Sequence, residues 1–441
     1  MYVTLRDRPG VDSASPGRHV GRRVSGTVLL LGTVSLLTDV SSEMVASVLP
    51  LYLTAVVGLS PVAYGFVDGV YQGVSALVRI AGGYAGDRGG RPKWVAVAGY
   101  GASALSRIAL VPVQGFAAIT AVITMDRLGK GLRTAPRDAL IAASSDPAML
   151  GRAFGVHRAL DTFGAALGPL VAFALLATVP GSYDSVFLVS FAFAVVGLAV
   201  LVLFVPNLPT AVGAARLGVQ RMVAEVTGAR LRRPLLAAGL LGLVTVGDGF
   251  LYLTLQDRDD FAASYFPLLF VGSNVAYLAL AVPLGRLADR VGRARVMVAG
   301  HGALLACYLL AAAPAGGWWL TVTVLLLLGV FYAATDGVLP ALVARLVPAA
   351  ARGSGIAAAQ TMVVLTRFAS SVAFGLLWSV AGSTTAVAVF AVALAAGVPF
   401  AWWLLRHVDT APSADADATS AGDAEPAPSA DAGPPSTGGA S

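Results

Sequence analysis

The stretch Gly83-Tyr84-Ala85-Gly86-Asp87-Arg88-Gly89-Gly90-Arg91 returns 202 residues later as Gly285-Arg286-Leu287-Ala288-Asp289-Arg290-Val291-Gly292-Arg293. Five positions are identical at the same spacing: the first Gly, the Asp-Arg pair, and the closing Gly and Arg. Arg152 and Gly155 are matched in the same way by Arg352 and Gly355, 200 residues on. Asp39 has a looser counterpart in Asp248. A sequence that echoes itself at nearly half its length is built from two related units.

Each copy is embedded in apolar sequence. Of the 441 residues, 57% are hydrophobic, the mean hydropathy is +0.77, and only 12% are charged. That is about half the ~25% charge content of soluble domains, too little to cover a soluble surface. The fold class expected is all-α integral membrane. Runs of about 20 apolar residues can cross a bilayer, and twelve are present. They lie near 27–57, 62–85, 93–113, 116–135, 152–178 and 184–205, then 235–256, 263–286, 294–314, 317–344, 355–380 and 383–405. Barrel strands would be ten-residue alternating segments, far shorter than these. The first run is too long for a signal peptide and carries Asp39 and Glu43, so it is expected to remain in the protein.

The connections alternate. Odd-side loops such as Gly58–Pro61 and Pro112–Gly115 are short and almost uncharged. Even-side loops are basic: Arg88, Arg91 and Lys93, then Arg133, Arg137 and Arg152, then Arg286, Arg290, Arg293 and Arg295. The positive-inside rule places these loops and both termini in the cytoplasm of a plasma-membrane protein. The organisation expected is a polar head (1–25), a six-helix bundle (26–205), a cytoplasmic linker (206–234), a second six-helix bundle (235–408) and a disordered acidic tail (409–441). The formal charge of +6 does not imply nucleic acid, because the basic residues sit in short loops at one membrane face. A single cysteine, Cys307, excludes an intramolecular disulfide or a Cys-based metal site. His19, His157, His301 and His407 are too scattered for a His-rich metal motif. No metal and no cofactor is expected.

These residues resemble the major facilitator superfamily (MFS) of transporters. Its best-known signature is the Gly-x-x-x-Asp-Arg-x-Gly-Arg loop, here in both halves: Gly83, Asp87, Arg88, Gly90 and Arg91, and Gly285, Asp289, Arg290, Gly292 and Arg293. Arg127 with Gly131 is similar to the family's Arg-x-x-x-Gly pattern on helix four. Gly164, Gly168 and Pro169 resemble the Gly-x-x-x-Gly-Pro motif of proton-coupled drug antiporters, although Leu170, Val171 and Ala172 replace its further glycines. The resemblance implies twelve helices in two pseudo-repeats, a cavity lined by helices one, four, seven and ten, and gating by the two repeated loops.

Charges inside the apolar runs are the candidate functional residues. The acids are Asp39, Glu43, Asp68, Asp126, Asp161, Asp248 and Asp336; the bases are Arg79, Arg107, Arg127, Lys130, Arg158 and Arg367. Each costs roughly 2.5–3.5 kcal/mol at a helix centre, so they are expected to pair or to face a water-filled cavity. Helical spacing puts Asp39 and Glu43 on one face, Asp126 beside Lys130, and Arg158 and His157 beside Asp161. Asp39 and Glu43 lack a basic neighbour on their own helix, so Arg127 or Arg158 is the expected counter-charge. Pro50 and Pro169 are candidate hinges.

No nucleotide-binding loop, His-Glu-x-x-His or Gly-x-Ser-x-Gly motif occurs, so the chain is read as a transporter and not an enzyme. The function expected is secondary transport of a small molecule or ion by a monomer in the lipid bilayer, with protons as coupling ion and efflux as direction. Uptake, metal-ion transport and a non-transporting sensor remain open alternatives. The loop asymmetry yields a first test. A reporter active only in the cytoplasm, fused after Ala411, is expected to be active, and a periplasmic reporter silent; the reverse pattern overturns the topology.

Overall fold

The computed structural model describes residues 24–89, 91–146, 149–208, 228–348 and 352–409. Most of the head, of the linker and of the tail, and Gly90, lie outside the described residues. Among the described residues the regular structure is helical. The first half holds α1 (Gly26–Leu51), α2 (Pro61–Gly89), α3 (Pro92–Ala109), α4 (Phe116–Ala143), α5 (Leu150–Thr178) and α6 (Tyr183–Phe204). The second holds α7 (Ala229–Leu243), α8 (Asp248–Asp259), α9 (Phe266–Val291), α10 (Arg293–Ala311), α11 (Trp318–Thr335), α12 (Val338–Leu346), α13 (Arg352–Ala381) and α14 (Ser383–Leu405).

These segments follow the twelve apolar runs, with the seventh run divided into α7 and α8 and the tenth into α11 and α12. Nine spans among the described residues are long and apolar enough to cross a membrane. α6, for example, has 22 residues, or about 33 Å at 1.5 Å per residue, enough for a hydrocarbon core of about 30 Å. α4 falls short on apolarity because it carries Asp126, Arg127, Lys130, Arg133, Arg137 and Asp138. The chain is a multi-pass membrane protein. Its outer surface presents Leu203, Phe204, Val380 and Val392, with Trp318 and Trp319 at one end and Trp402 and Trp403 at the other, an arrangement suited to lipid and its two interfaces.

The two divided spans have local causes. Residues 244–247 leave the helix where the sequence reads Val-Thr-Val-Gly, β-branched residues and a glycine that favour helix least. The freed backbone groups are satisfied from neighbours: the Tyr308 hydroxyl accepts from Val246 N (2.8 Å) and donates to Val244 O (3.2 Å), and Ser370 Oγ donates to Thr245 O (2.9 Å). In the tenth span Pro340 lacks an N–H, and its ring conflicts with the carbonyl of Asp336 four residues earlier. The helix accordingly pauses at Asp336 and Gly337. By contrast α5 runs through Pro169, and α1 passes Pro50 before ending in a single π-turn at Tyr52–Val56.

α1 and α5 pack closely because small residues face each other. A Cβ on Gly164 would enter the backbone of Leu36, and one on Gly168 would meet Val40 O and Met44 N. The two halves touch through α2 against α13 and α5 against α9. At the odd-loop end these contacts are tight: Phe173 and Tyr265 are 5.7 Å apart, Phe66 and Phe368 are 5.5 Å apart, and Gly375 lies against Pro61. Toward the even-loop end, Gly155, Gly285 and Gly353 would carry a Cβ into open space. Gly164→Val and Gly168→Val are expected to cost about 1–3 kcal/mol each by overpacking, seen as a lower unfolding temperature in detergent. Gly155→Ala, which meets nothing, should stay within about 0.5 kcal/mol of the parent.

Candidate functional site

Charged residues from both halves converge on three cavities between the bundles. The first, about 310 Å³, is lined by Asp39 and Glu43 from α1, Lys130, Arg133 and Arg137 from α4, Arg158 and Asp161 from α5, and Asn274 and Tyr277 from α9. Asp39, Asp161 and Arg133 each lie about 15–20 Å from the even-loop end of their helices, so they meet at one depth. Arg133 Nη2 is 3.9 Å from Asp39 Oδ1, while Arg137 and Arg158 approach Asp161 at 3.8 and 3.6 Å. Asp39 and Asp161 line the same cavity, and the close approach of α1 and α5 at Gly164 and Gly168 brings their helices together there. Behind it, Ser35 Oγ is 2.9 Å from buried His157 Nε2 and 3.4 Å from Arg137 Nη1.

Asp126 is placed differently from its helix-face reading. It is not paired with Lys130. It is clamped by Arg107 of α3 at 2.8 Å and by its neighbour Arg127, whose Nε donates at 2.8 Å. All three side chains are buried. Arg107 also donates to Ser42 Oγ at 3.0 Å, and Arg127 lies 3.7 Å from the Tyr71 ring centroid. With Asp126 neutralised by α3, Lys130 turns to the acids of α1. The counter-charge near Asp39 is Arg133, not Arg127 or Arg158. Arg133 and Arg137, assigned to a loop from sequence, belong to α4, which continues through Pro136 to Ala143. Their spacing, three residues from Lys130 to Arg133 and seven from Lys130 to Arg137, was the available signal, since both keep to one helix face.

The second-half candidates separate into two adjoining cavities that share Gln72 and Ser75. Asp336 and Arg367 line the larger, about 420 Å³. Asp248 lines the smaller, about 300 Å³, and accepts a hydrogen bond from Tyr332. Asp68, an intramembrane acid that the sequence left unplaced, joins Asp248 there and accepts from Ser371 Oγ at 2.7 Å and from Gln72 Nε2 at 3.4 Å. Helices one, four, seven and ten contribute as expected, but so do two, five, eight and eleven. In the second repeated loop Gly292 has φ +112°, a backbone region that favours glycine. Asp289 pairs with Arg293 at 2.9 Å, and Arg293 Nη1 donates to Ala341 O at 2.6 Å. Asp409, grouped with the tail from sequence, docks here: its carboxylate accepts from Ala294 N at 3.1 Å at the start of α10. In the first loop Arg91 is exposed, Gly90 lies outside the described residues, and the side chains of Asp87 and Arg88 and the surroundings of Gly83 lie outside the description as well.

A doubled bundle with charged cavities on its internal axis is matched by comparison with known proteins. The model of the Major Facilitator Superfamily matches residues 31–273 and 258–432. The chain belongs to that superfamily. An uncharacterised MFS-type transporter of Methanocaldococcus jannaschii is 29% identical over 374 residues, covering 82% of this chain and 91% of the relative. An uncharacterised protein of Mycobacterium tuberculosis is 32% identical over 160 residues, 35% of this chain and 38% of its own length. Among solved structures, the nucleoside transporter NupG superposes with a TM-score of 0.74 at 16% identity, over 86% of this chain and 99% of that one. A bacterial homologue of the human lysosomal transporter Spinster, in an inward-facing and occupied conformation, reaches 0.68 at 14% identity over 86% and 96% of the two chains. These similarities extend to the MFS fold.

Within this MFS fold the Asp126 clamp is a structural anchor. Asp126→Asn leaves two buried guanidinium groups without their counter-charge and is expected to cost about 3–5 kcal/mol. Thermal unfolding in detergent checks this. Lys130→Gln, outside the clamp, should lower the transition far less.

Proposed function

We propose that this MFS protein is a secondary active transporter that exports a small solute across the plasma membrane in exchange for protons, by alternating access. What supports the reading is the placing of Asp39 and Asp161 together on the wall of the first cavity. Two carboxyls that share a cavity disfavour double ionisation, which favours a proton on one of them. Arg133, Arg137 and Arg158 stand 3.6–3.9 Å away, at the margin of ion-pair distance. A small shift of α4 or α5 would bring a guanidinium onto a carboxylate and release the proton, or withdraw it and admit one. Conformation and protonation are thereby linked, as coupling requires.

The packing supports rocking of one bundle against the other. Contacts at the odd-loop end pack the halves together on that side, so we take the even-loop end as the route from the two acids to bulk water. Positive loop charge assigns the even-loop end to the cytoplasm. The repeated loops, with Asp289, Arg290 and Arg293 in the second and Asp87, Arg88 and Arg91 in the first, lie where that end would close, which suits a gate. Among the described residues no three His, Cys, Asp or Glu side chains gather as metal ligands, so an organic solute is the better reading than a metal ion.

Proteoliposomes holding an internal pH dye, screened against a solute panel, test the proposal. Asp39→Asn and Asp161→Asn are each expected to lower gradient-driven transport by about tenfold or more, an effect of ~1.4 kcal/mol or above. At least one should still exchange solute for solute. Parent-like accumulation in both variants at every pH overturns the coupling role.

A further inference from the structure

The ion pairs of the membrane interior are unevenly distributed. Asp39, Asp126 and Asp161 each have an arginine within 4 Å. Asp68, Asp248 and Asp336 have no cation at that distance among the described residues, yet they line the two adjoining cavities. The arginines of that wall are Arg367 and Arg127, and Arg127 shares the one carboxylate of Asp126 with Arg107. Three carboxylates against two guanidiniums leave the shared wall with an excess of one negative charge when these groups are ionised. Asp68 and Asp248 are held by neutral donors, Ser371, Gln72 and Tyr332. Such donors fix the carboxylates without discharging them.

The wall has a second character. The smaller cavity is also lined by Tyr64, Tyr71 and Tyr332. Tyr64 is only 3% exposed, and its hydroxyl packs over Gly249 at the cavity wall. A hydroxyl there can donate to or accept from what enters the cavity. The site is also shared between the halves. Asp68 comes from α2, while Asp248, Tyr332 and Ser371 come from α8, α11 and α13. Both interrupted spans end at it, at Asp248 and at Asp336, and interrupted helices are where membrane carriers place their ligands.

We propose that these two cavities bind a small aromatic amine in its protonated form. Its ammonium sits between Asp68 and Asp248 within reach of the Tyr64 hydroxyl, and its ring extends along Gln72 into the larger cavity. Carboxylates supply the counter-charge, the apolar and aromatic lining accommodates the ring, and volumes of about 300 and 420 Å³ suit a ligand of that size. The inference rests on the transporter reading but separates two tasks: the ligand is held at Asp68 and Asp248, and the exchanged proton at Asp39 and Asp161.

Ligand-dependent thermal stability of the full-length protein tests this without any gradient. Cys307 is buried and is the chain's one cysteine, so a thiol-reactive dye reports unfolding. Tryptamine, tryptophol and indole-3-propanoate serve as cationic, neutral and anionic probes of similar shape. Tryptamine is expected to raise the unfolding temperature and the other two are not. Asp68→Asn and Asp248→Asn should each raise the tryptamine concentration needed by about tenfold or more, while Val392→Ala on the outer surface stays close to the parent. The proposal is overturned if tryptamine fails to stabilise the parent, if the alcohol or the acid does so equally, or if both Asn variants respond like the parent. Amine binding without proton flux in proteoliposomes would instead count against the coupling reading and leave this site standing.

Discussion

An ionised side chain in hydrocarbon costs several kcal/mol unless a counter-charge or water meets it, and α4 alone carries six charged residues between Asp126 and Asp138. The first bundle is arranged around that cost. Asp126 is clamped between Arg107 and Arg127, which ties α3 to α4 and leaves the next turns of α4 to face α1 and α5. Gly164 and Gly168 then let α5 approach α1, and Asp161 and Asp39 line one cavity. The pairing is tight in the clamp and looser, near 4 Å, around the cavity. A clamp made of close bonds holds shape, whereas marginal contacts allow a change of partner. The same electrostatic rule thus produces a rigid anchor and a switchable pair on one helix.

The second bundle solves its problem by interrupting helices. Between α7 and α8 a tyrosine and a serine side chain take over the backbone bonds that the helix gives up. Between α11 and α12 a proline removes one. Both interruptions carry an acid to the cavity wall, Asp248 and Asp336. The cavities therefore differ in chemistry: the first holds Asp39 and Asp161 near arginines, and the smaller of the other two holds Asp68 and Asp248 against hydroxyls and an amide. In an MFS protein, where the two bundles move against each other, this asymmetry allows a proton and a solute to be handled at different places on the same interface.

Much of this was legible in the residues. The membrane class, the twelve runs, the two halves and the superfamily follow from apolar run length and from a nine-residue motif that occurs twice. Both are one-dimensional signals and need no packing. The intramembrane charges were also visible, because their cost in lipid makes each one conspicuous. Their partners were not. The helix-face rule paired Asp126 with Lys130, but it ranks only neighbours on one helix, and Arg107 on α3 was nearer. The alternation of basic loops placed Arg133 and Arg137 outside the membrane helix, whereas α4 continues to Ala143 and carries both. Asp409 read as the start of an acidic tail, yet it caps α10.

By itself the sequence determined which segments enter the membrane and that they form two related sets, because transfer of apolar runs into lipid depends on composition and length. Tertiary structure alone decided which acid meets which base, which acids meet none, and which tyrosine hydroxyl faces an unfilled cavity. Those outcomes depend on distances of a few ångströms between helices far apart in the chain, set by where glycines let backbones touch and where spans break. Asp68 illustrates the difference. In the sequence it is one acid among seven; in the fold it stands opposite Asp248, across the boundary between the two bundles.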